Sequence, residues 1–274
     1  MLNTESNPEK SLLSPRKKVS SFPIDTLKIV SGTLFTQLIG FAATPLLTRL
    51  FAPNDFGISV LYSSIISTLA VIACLRYELS IMIPDNDEEA VNMLGVSIIT
   101  SILISLVSIP ILFLWQKPLL NWLNASELQP YIWLIPLMTL ISGIFNALHY
   151  WNTRTKRFGR LSIARIVQSF VNTSSSLGAG YAGYASGGTL ISADVFSQAF
   201  SVIVLGAQIW RDDSKLFINS IKWKDMIAGG KRYRKFPIYG TLAAFLNTFS
   251  WQLPVFLLSN FFSSTIVGYY SLGF

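Results

Sequence analysis

The sequence predicts an all-α fold, a polytopic bundle of transmembrane helices, and three observations support this prediction. Of the 274 residues, 51% are hydrophobic and only 13% are charged, whereas soluble domains carry roughly a quarter charged residues. Apolar runs long enough to cross a bilayer recur along the chain. Basic residues gather in alternate segments between these runs, a pattern that orients helical membrane proteins. The bilayer is therefore the expected solvent.

Seven stretches contain the about 20 mostly apolar residues that a transmembrane helix needs, and an eighth begins near Thr265. Residues 1–27 are polar and interrupted by prolines as far as Pro23. They lack the order of a cleaved signal peptide, so they are predicted to form a cytoplasmic tail. The seven predicted spans are Lys28–Leu50, Gly57–Ile83, Val91–Trp115, Pro130–Trp151, Ile163–Ala185, Thr189–Trp210 and Phe236–Phe261.

The distribution of Lys and Arg predicts the orientation. With a cytoplasmic N-terminus, all but two of the 21 basic residues fall on the cytoplasmic side, and only Arg49 and Lys117 fall outside. Basic residues concentrate on the cytoplasmic side of helical membrane proteins. The net charge of +7 therefore indicates topology, and no nucleic-acid partner is expected.

A short pattern recurs in the first and seventh spans. Both spans run from inside to outside, which predicts parallel repeats of six spans each. The first copy is Gly32-Thr33-Leu34 followed by Pro45 and Gly57, and the second is Gly240-Thr241-Leu242 followed by Pro254 and Gly268.

The repeat predicts a domain organisation. Residues 28–210 would form a six-helix lobe, and residues 236–274 would begin a second lobe of a longer protein with about twelve spans. Between them, residues 211–235 would form a basic cytoplasmic linker. This segment mixes eight basic residues with large apolar ones, so it is expected to lie on anionic lipid.

Several collinear motifs carry a family resemblance. They are Pro53-Asn54-Asp55-Phe56-Gly57, Arg76-Tyr77-Glu78-Leu79-Ser80-Ile81 with Pro84 and Asp87-Glu88-Glu89-Ala90, Tyr150-Trp151-Asn152 with Arg157-Phe158, Lys231-Arg232-Tyr233-Arg234-Lys235-Phe236-Pro237, and Val267-Gly268-Tyr269-Tyr270-Ser271-Leu272. Together they make the chain similar to polysaccharide biosynthesis flippases of the multidrug/oligosaccharidyl-lipid/polysaccharide exporter superfamily, in truncated form.

The resemblance implies a function. Two six-helix lobes would form a V around a cavity open alternately to either side of the bacterial inner membrane. The implied cargo is an undecaprenyl-pyrophosphate-linked oligosaccharide such as an O-antigen unit. Membrane lipids and other polysaccharide-assembly membrane proteins are further expected partners, and a proton or sodium gradient is an implied energy source.

Charged residues at bilayer depth are costly, so each needs an explanation. Arg76 and Glu78 lie near the inner end of the second span, and residues two apart on a helix point about 200° apart, so they are not expected to pair. Lys28 would then pair with Glu78. Arg76 would be free to bind an anionic head group, or it would snorkel to lipid phosphates.

Other polar residues are further candidates. Arg49 would bind substrate or form a salt bridge with Asp55. Asp194 would couple an ion or only hydrogen-bond to its neighbours. Gln37, Asn247 and Gln252 would line the sugar path or hydrogen-bond between helices.

Two rival functions stay open at this stage. A drug or cation antiporter of the same superfamily would need an acidic cavity, for which only Glu78 and Asp194 are candidates. A membrane-embedded glycosyltransferase or polymerase would need a metal or acid/base cluster. Asp85-Asn86-Asp87 has a suitable spacing, but it precedes a span whose N-terminus favours acidic residues. No catalytic residue, metal site or cofactor is predicted, and the lone Cys74 is expected to be a buried core residue.

Overall fold

The computed structural model describes the backbone of residues 22–273 and the side chains of residues 31–273, and every regular element in this part is a helix. A 3₁₀ turn spans Ser126–Tyr131 and a π-helical turn spans Phe236–Gly240. The all-α prediction is confirmed. The helices are α1 (Phe22–Leu50), α2 (Pro53–Ala73), α3 (Tyr77–Ser80), α4 (Asp87–Trp122), α5 (Leu134–Arg154), α6 (Phe158–Tyr181), α7 (Gly187–Ser220), α8 (Trp223–Arg232), α9 (Thr241–Phe261) and α10 (Ser264–Gly273).

Five helical segments in the described part of the chain are long and apolar enough to cross a membrane. They are Pro53–Ala73, Asp87–Trp122, Leu134–Arg154, Gly187–Ser220 and Phe236–Phe261. These segments make the chain a multi-pass membrane protein. Helix α6 is of similar length but less apolar than these five segments, and α1 carries several polar residues among its apolar ones. Their polar residues turn out to share one cavity.

Local chemistry explains where several helices begin. The Asn86 side chain caps α4 by accepting a hydrogen bond from the Glu89 backbone amide at 3.0 Å. The three acidic residues that follow it lie at the positive end of the helix dipole. At α2, Pro53 occupies the first turn and the Asp55 carboxylate accepts from the Ala52 amide at 2.9 Å. Such caps satisfy amides that have no partner inside the helix.

The helices pack closely because small residues lie at their crossings. α1 packs along α6, α6 along α7, and α2 contacts α5, α7, α9 and α10. A Cβ on Gly143 would collide with the Ser101 side chain, and one on Gly32 would press on Ser162 at 2.7 Å. In a bilayer, where apolar burial does not drive helix association, such close approach supplies the packing energy.

Three predicted boundaries are wrong. The second span does not run unbroken to Ile83, because α2 ends at Ala73 and the chain turns through two residues in the left-handed conformation. α4 continues to Trp122, so Lys117 lies in the helix and not in a loop. α7 continues to Ser220, so ten residues of the predicted linker extend a membrane helix.

The second glycines of the two predicted repeat copies, Gly57 and Gly268, lie against each other. A Cβ on Gly57 would collide with the Ser264 carbonyl oxygen, and one on Gly268 would collide with the Pro53 carbonyl oxygen. Gly57 and Gly268 are 211 positions apart, as are Pro53 and Ser264. The contact between α2 and α10 is therefore symmetric, which supports the repeat; the division into lobes stays a prediction.

Candidate functional site

A polar cavity of about 510 Å³ lies between α1, α6 and α7. Most of its lining side chains can donate or accept hydrogen bonds, and several on α1 are exposed, so the cavity is open to its surroundings. The lining comprises Thr33, Thr36, Gln37, Gly40, Ala43, Thr44, Leu47, Arg165, Gln168, Ser169, Asn172, Thr173 and Asp194. Two predicted candidates from distant spans, Gln37 and Asp194, thus share one site.

Helical spacing explains how the cavity forms. Residues three and four apart fall on one helix face, and both α1 and α6 carry such a polar stripe. The stripe of α1 is Thr33, Thr36, Gln37, Gly40 and Thr44, and that of α6 is Arg165, Gln168, Ser169, Asn172 and Thr173. The opposite face of α6 carries Phe170, which is 63% exposed.

The cavity has a charge at each end. Arg165 lies seven residues after the start of α6, which is the end of that helix predicted to be cytoplasmic. Asp194 lies seven residues after the start of α7, which runs antiparallel to α6, so this residue is near the opposite end of the cavity. Asn172 donates to the Ser197 hydroxyl at 3.5 Å, which fixes the register of the two helices. At 1.5 Å per residue, Arg165 and Asp194 are then about 15 Å apart along the helix axes.

Neither charge has an opposite partner at ion-pair distance among the described residues. Asp194 is half-buried, and its negative charge acts on the Tyr62 phenol, which is buried and has no hydrogen-bond partner in the described part of the chain. Isolated charges at membrane depth are costly and typically mark functional sites.

Arg76 and Glu78 form a different kind of site. Leu75 and Arg76 have φ angles of 47° and 61°, so the chain leaves the helical geometry on which the sequence prediction rested. The Arg76 guanidinium then reaches the Glu78 carboxylate at 3.5 Å. The prediction that these two residues cannot pair is therefore wrong, and Glu78, which is only 3% exposed, does not depend on Lys28 for a partner. The Lys28 side chain lies outside the described residues.

Arg154 holds the turn that follows. Its guanidinium donates to the Ile81 carbonyl oxygen at 3.1 Å, to the Pro84 carbonyl oxygen at 2.7 Å, and to the Asp87 carboxylate at 3.0 Å. Asp87 is thus engaged in an ion pair and Asn86 is a helix cap. These structural roles account for the Asp-Asn-Asp spacing, and in the described residues no group of three or more His, Cys, Asp or Glu is placed to hold a metal ion.

The remaining predicted residues lie outside the polar cavity. Arg49 is exposed at the end of α1, and Asp55 does not form the expected salt bridge with it, because its carboxylate accepts from the backbone amides of Ala52 and Gly187 at 2.9 Å and 2.7 Å. Asn247 and Gln252 lie on α9. Cys74 is buried, as predicted, with its Sγ 3.1 Å from the Ser101 hydroxyl.

Sequence reasoning missed Arg165, Gln168 and Asn172. Arg165 counted only as a topology signal, although its spacing with the other two was visible in the least apolar of the predicted spans. The stripe had to be combined with that of α1 to indicate a cavity, and the sequence does not show which helices are neighbours.

The predicted linker is partly docked onto α4. Met226 and Gly229 of α8 are buried against it, and the Asn92 amide donates to the Ser220 carbonyl oxygen at 2.9 Å. Glu89 accepts from Arg232 at 3.0 Å and from the Tyr233 hydroxyl at 3.1 Å. Burial and this hydrogen bond raise the pKa of Tyr233, so the phenol remains a donor.

A second cavity, of about 550 Å³, has an almost wholly apolar lining. It lies between α2, α4 and α9, and its walls include Trp115, Trp122, Phe245, Phe249 and Phe256. Its chemistry suits hydrocarbon. These two cavities are similar in volume but differ in chemistry, one being polar and the other apolar.

These features define a multi-pass helical membrane protein with a polar cavity among its helices. The chain belongs to the polysaccharide biosynthesis protein family, whose family model matches residues 46–274. The predicted family is therefore confirmed. No curated protein and no solved structure matches the chain.

Proposed function

We propose that the protein translocates an undecaprenyl-pyrophosphate-linked oligosaccharide across the bacterial inner membrane during polysaccharide or O-antigen biosynthesis. The polar cavity between α1, α6 and α7 carries this proposal, because a polysaccharide-synthesis membrane protein that moves sugars needs a hydrophilic path at bilayer depth. Its volume lies within the roughly 300–1,000 Å³ range of ligand sites. Gln37, Gln168 and Asn172 provide donors and acceptors that match sugar hydroxyls.

The proposed mechanism is alternating access. Two lobes would rock about their contact, so that the face of the first lobe that carries the polar cavity becomes accessible first from the cytoplasm and then from the periplasm, while the lipid tail stays in the bilayer. The close contact between α2 and α10 supports a tightly closed outer end in this conformation, given the predicted cytoplasmic N-terminus. The apolar cavity beside α9 supports accommodation of part of the lipid chain.

Complementation of a bacterial strain that lacks its own oligosaccharide flippase tests the function. Expression of the native protein should restore surface polysaccharide and lower the amount of lipid-linked oligosaccharide retained on the inner leaflet. The double substitution Gln168→Ala and Asn172→Ala should restore less, whereas Phe170→Ala, on the opposite face of α6, should act like the native protein. If the native protein, the double variant and Phe170→Ala restored surface polysaccharide equally, the cavity would not be part of the substrate path. No restoration by the native protein would contradict the proposed function.

A drug or cation antiporter remains the second candidate, because Asp194 supplies an acid within the cavity. This candidate predicts that the protein raises resistance to a cationic dye such as ethidium and that Asp194→Asn abolishes the resistance. Our proposal predicts that neither the native protein nor the Asp194→Asn variant raises resistance. We propose no catalytic role for any residue.

A further inference from the structure

A further cavity, of about 480 Å³, lies where the end of α4 meets the 3₁₀ turn that leads into α5. Its lining comprises Gln116, Ser126, Gln129, Pro130 and Trp133. Gln116 directly follows the predicted third span and Pro130 begins the predicted fourth. The cavity therefore lies at the membrane surface that is predicted to be periplasmic, and we call it the outer pocket.

The 3₁₀ turn explains which side chains face the outer pocket. Residues three apart eclipse one another in a 3₁₀ helix, so Ser126 and Gln129 lie on the same side of the turn. The two residues between them have other surroundings. The Glu127 carboxylate accepts a hydrogen bond from the Asn54 amide at 2.8 Å, and Leu128 is buried. The turn is thus held by one side and presents its polar side to the pocket.

The polar groups of the outer pocket have unused hydrogen-bonding capacity. No side-chain hydrogen bond joins Gln116, Ser126 or Gln129 to another described residue. Each amide side chain has two donors and a carbonyl acceptor, and the hydroxyl can donate or accept. None of the lining residues is charged. The lining is therefore suited to an uncharged ligand that carries several hydroxyl groups.

Trp133 adds an aromatic face to this lining, and 49% of the residue is exposed. Two other exposed tryptophans at the same end of the molecule, Trp115 and Trp122, line the apolar cavity, as is typical of an interfacial aromatic belt. Trp133 differs because its neighbours in the pocket are amides and a hydroxyl. An exposed aromatic face beside such groups can pack against the C–H face of a sugar ring while they bind its hydroxyls.

We propose that the outer pocket binds an uncharged carbohydrate chain, with the Trp133 ring against one sugar and the three polar side chains on its hydroxyls. An anionic head group would need a cation in the lining, and a metal ion would need carboxylates; this lining contains neither. The volume lies within the roughly 300–1,000 Å³ range of ligand sites. The inference goes beyond the proposed function, because the pocket lies outside the α1–α6–α7 cavity and needs only that carbohydrate reach the outer surface.

Isothermal titration calorimetry of the purified protein, in a detergent without a sugar head group, tests the inference. The probes are neutral tri- and tetrasaccharides of glucose, galactose, mannose or N-acetylglucosamine, and the tightest binder is used for the variants. Trp133→Ala should weaken its binding by about 10- to 100-fold, because burial of the ring is lost. Trp133→Phe, which keeps an aromatic face, should weaken it less. Gln129→Ala should weaken it by about 3- to 10-fold, as expected for a lost neutral hydrogen bond.

The matched control is Trp122→Ala, because Trp122 is 47% exposed at the same end of the molecule but lines the apolar cavity. This variant should bind the saccharide like the native protein. An unaltered gel-filtration profile and melting temperature would show that Trp133→Ala is folded. The double substitution Gln168→Ala and Asn172→Ala, in the polar cavity, should also leave binding unchanged.

Three results would overturn the inference. They are no binding of any saccharide by the native protein, unchanged binding by folded Trp133→Ala, and an equal loss of binding in Trp122→Ala and Trp133→Ala. Loss of binding in the polar-cavity double variant alone would assign the saccharide to that cavity and overturn it as well. Trp133-dependent binding by a protein that fails to restore polysaccharide export would instead contradict only the proposed function.

Discussion

The Arg76–Glu78 turn and the polar cavity both place charged groups among membrane helices, but they treat these groups in opposite ways. In the turn, the guanidinium and carboxylate are 3.5 Å apart, and Arg154 ties the following loop to α4. In the cavity, Arg165 and Asp194 have no such partners among the described residues and lie on a face lined by uncharged hydrogen-bonding groups.

The difference separates structural charges from charges available to a ligand. A paired charge in a buried turn maintains local geometry, and removal of one member exposes the other to the full cost of burial. A charge in an open cavity contributes little to folding and is free to bind what enters. We therefore expect the conspicuous motif around Arg76 and Glu78 to have a structural role, and the ligand-binding residues to lie in the inconspicuous stripe on α6.

The largest effect on stability is expected at the turn. Arg76→Ala leaves the Glu78 carboxylate buried without its cation, which should lower the free energy of unfolding by about 3–5 kcal/mol. Thermal unfolding in detergent, followed by gel filtration, measures this. The double substitution Arg76→Ala and Glu78→Gln should recover part of the loss because no unpaired charge remains. A single variant as stable as the native protein would contradict a structural role for the pair.

An intermediate effect is expected at the contact between α2 and α10. Gly57→Ala forces a methyl group against the Ser264 carbonyl oxygen, and overpacking of this kind costs about 1–3 kcal/mol. The same unfolding measurement applies. Gly178→Ala, where a methyl group would meet open space, is the matched control and should be neutral. Equal stability of the two variants would mean that the contact is not tightly packed.

The smallest effect is expected at Asp194. Neutralisation by Asp194→Asn removes no ion pair with a described residue, so the melting temperature should stay the same or rise slightly. Asp213→Asn is the matched acid, because that carboxylate accepts from Arg157 at 2.6 Å and from the Trp151 indole at 3.1 Å; its loss should cost about 1–3 kcal/mol. If Asp194→Asn lowered the melting temperature as much as Asp213→Asn, both carboxylates would have a structural role.

The sequence predicted the helices better than it predicted the site. Apolar length located every long helix in the described part of the chain, because the cost of exposing backbone to lipid is a local property of the chain. The acidic start of α4 was likewise visible. The turn at Arg76 was missed because a left-handed conformation at Leu75 and Arg76, neither of them glycine, depends on packing elsewhere. The 3.1 Å contact of Cys74 with Ser101 of α4 is part of that packing.

The site could be predicted only in part. Gln37 and Asp194 were candidates because each interrupts an apolar run, but their meeting requires α1 and α7 to flank the same cavity. Arg165 was hidden among the cations that set topology. Its lack of a partner becomes apparent only when its neighbours Arg157 and Arg160 are seen in ion pairs.

The central claim, that the α1–α6–α7 cavity is the hydrophilic path for the substrate, is tested most directly by cysteine labelling along α6. Single cysteines at Gln168, Asn172 and Phe170, in a protein whose native Cys74 is replaced by alanine, are treated with a membrane-impermeant thiol reagent. The account predicts that the cysteines replacing Gln168 and Asn172 react and are protected by lipid-linked oligosaccharide, while the one replacing Phe170 does not react. Reaction at position 170 but not at positions 168 and 172 would contradict it.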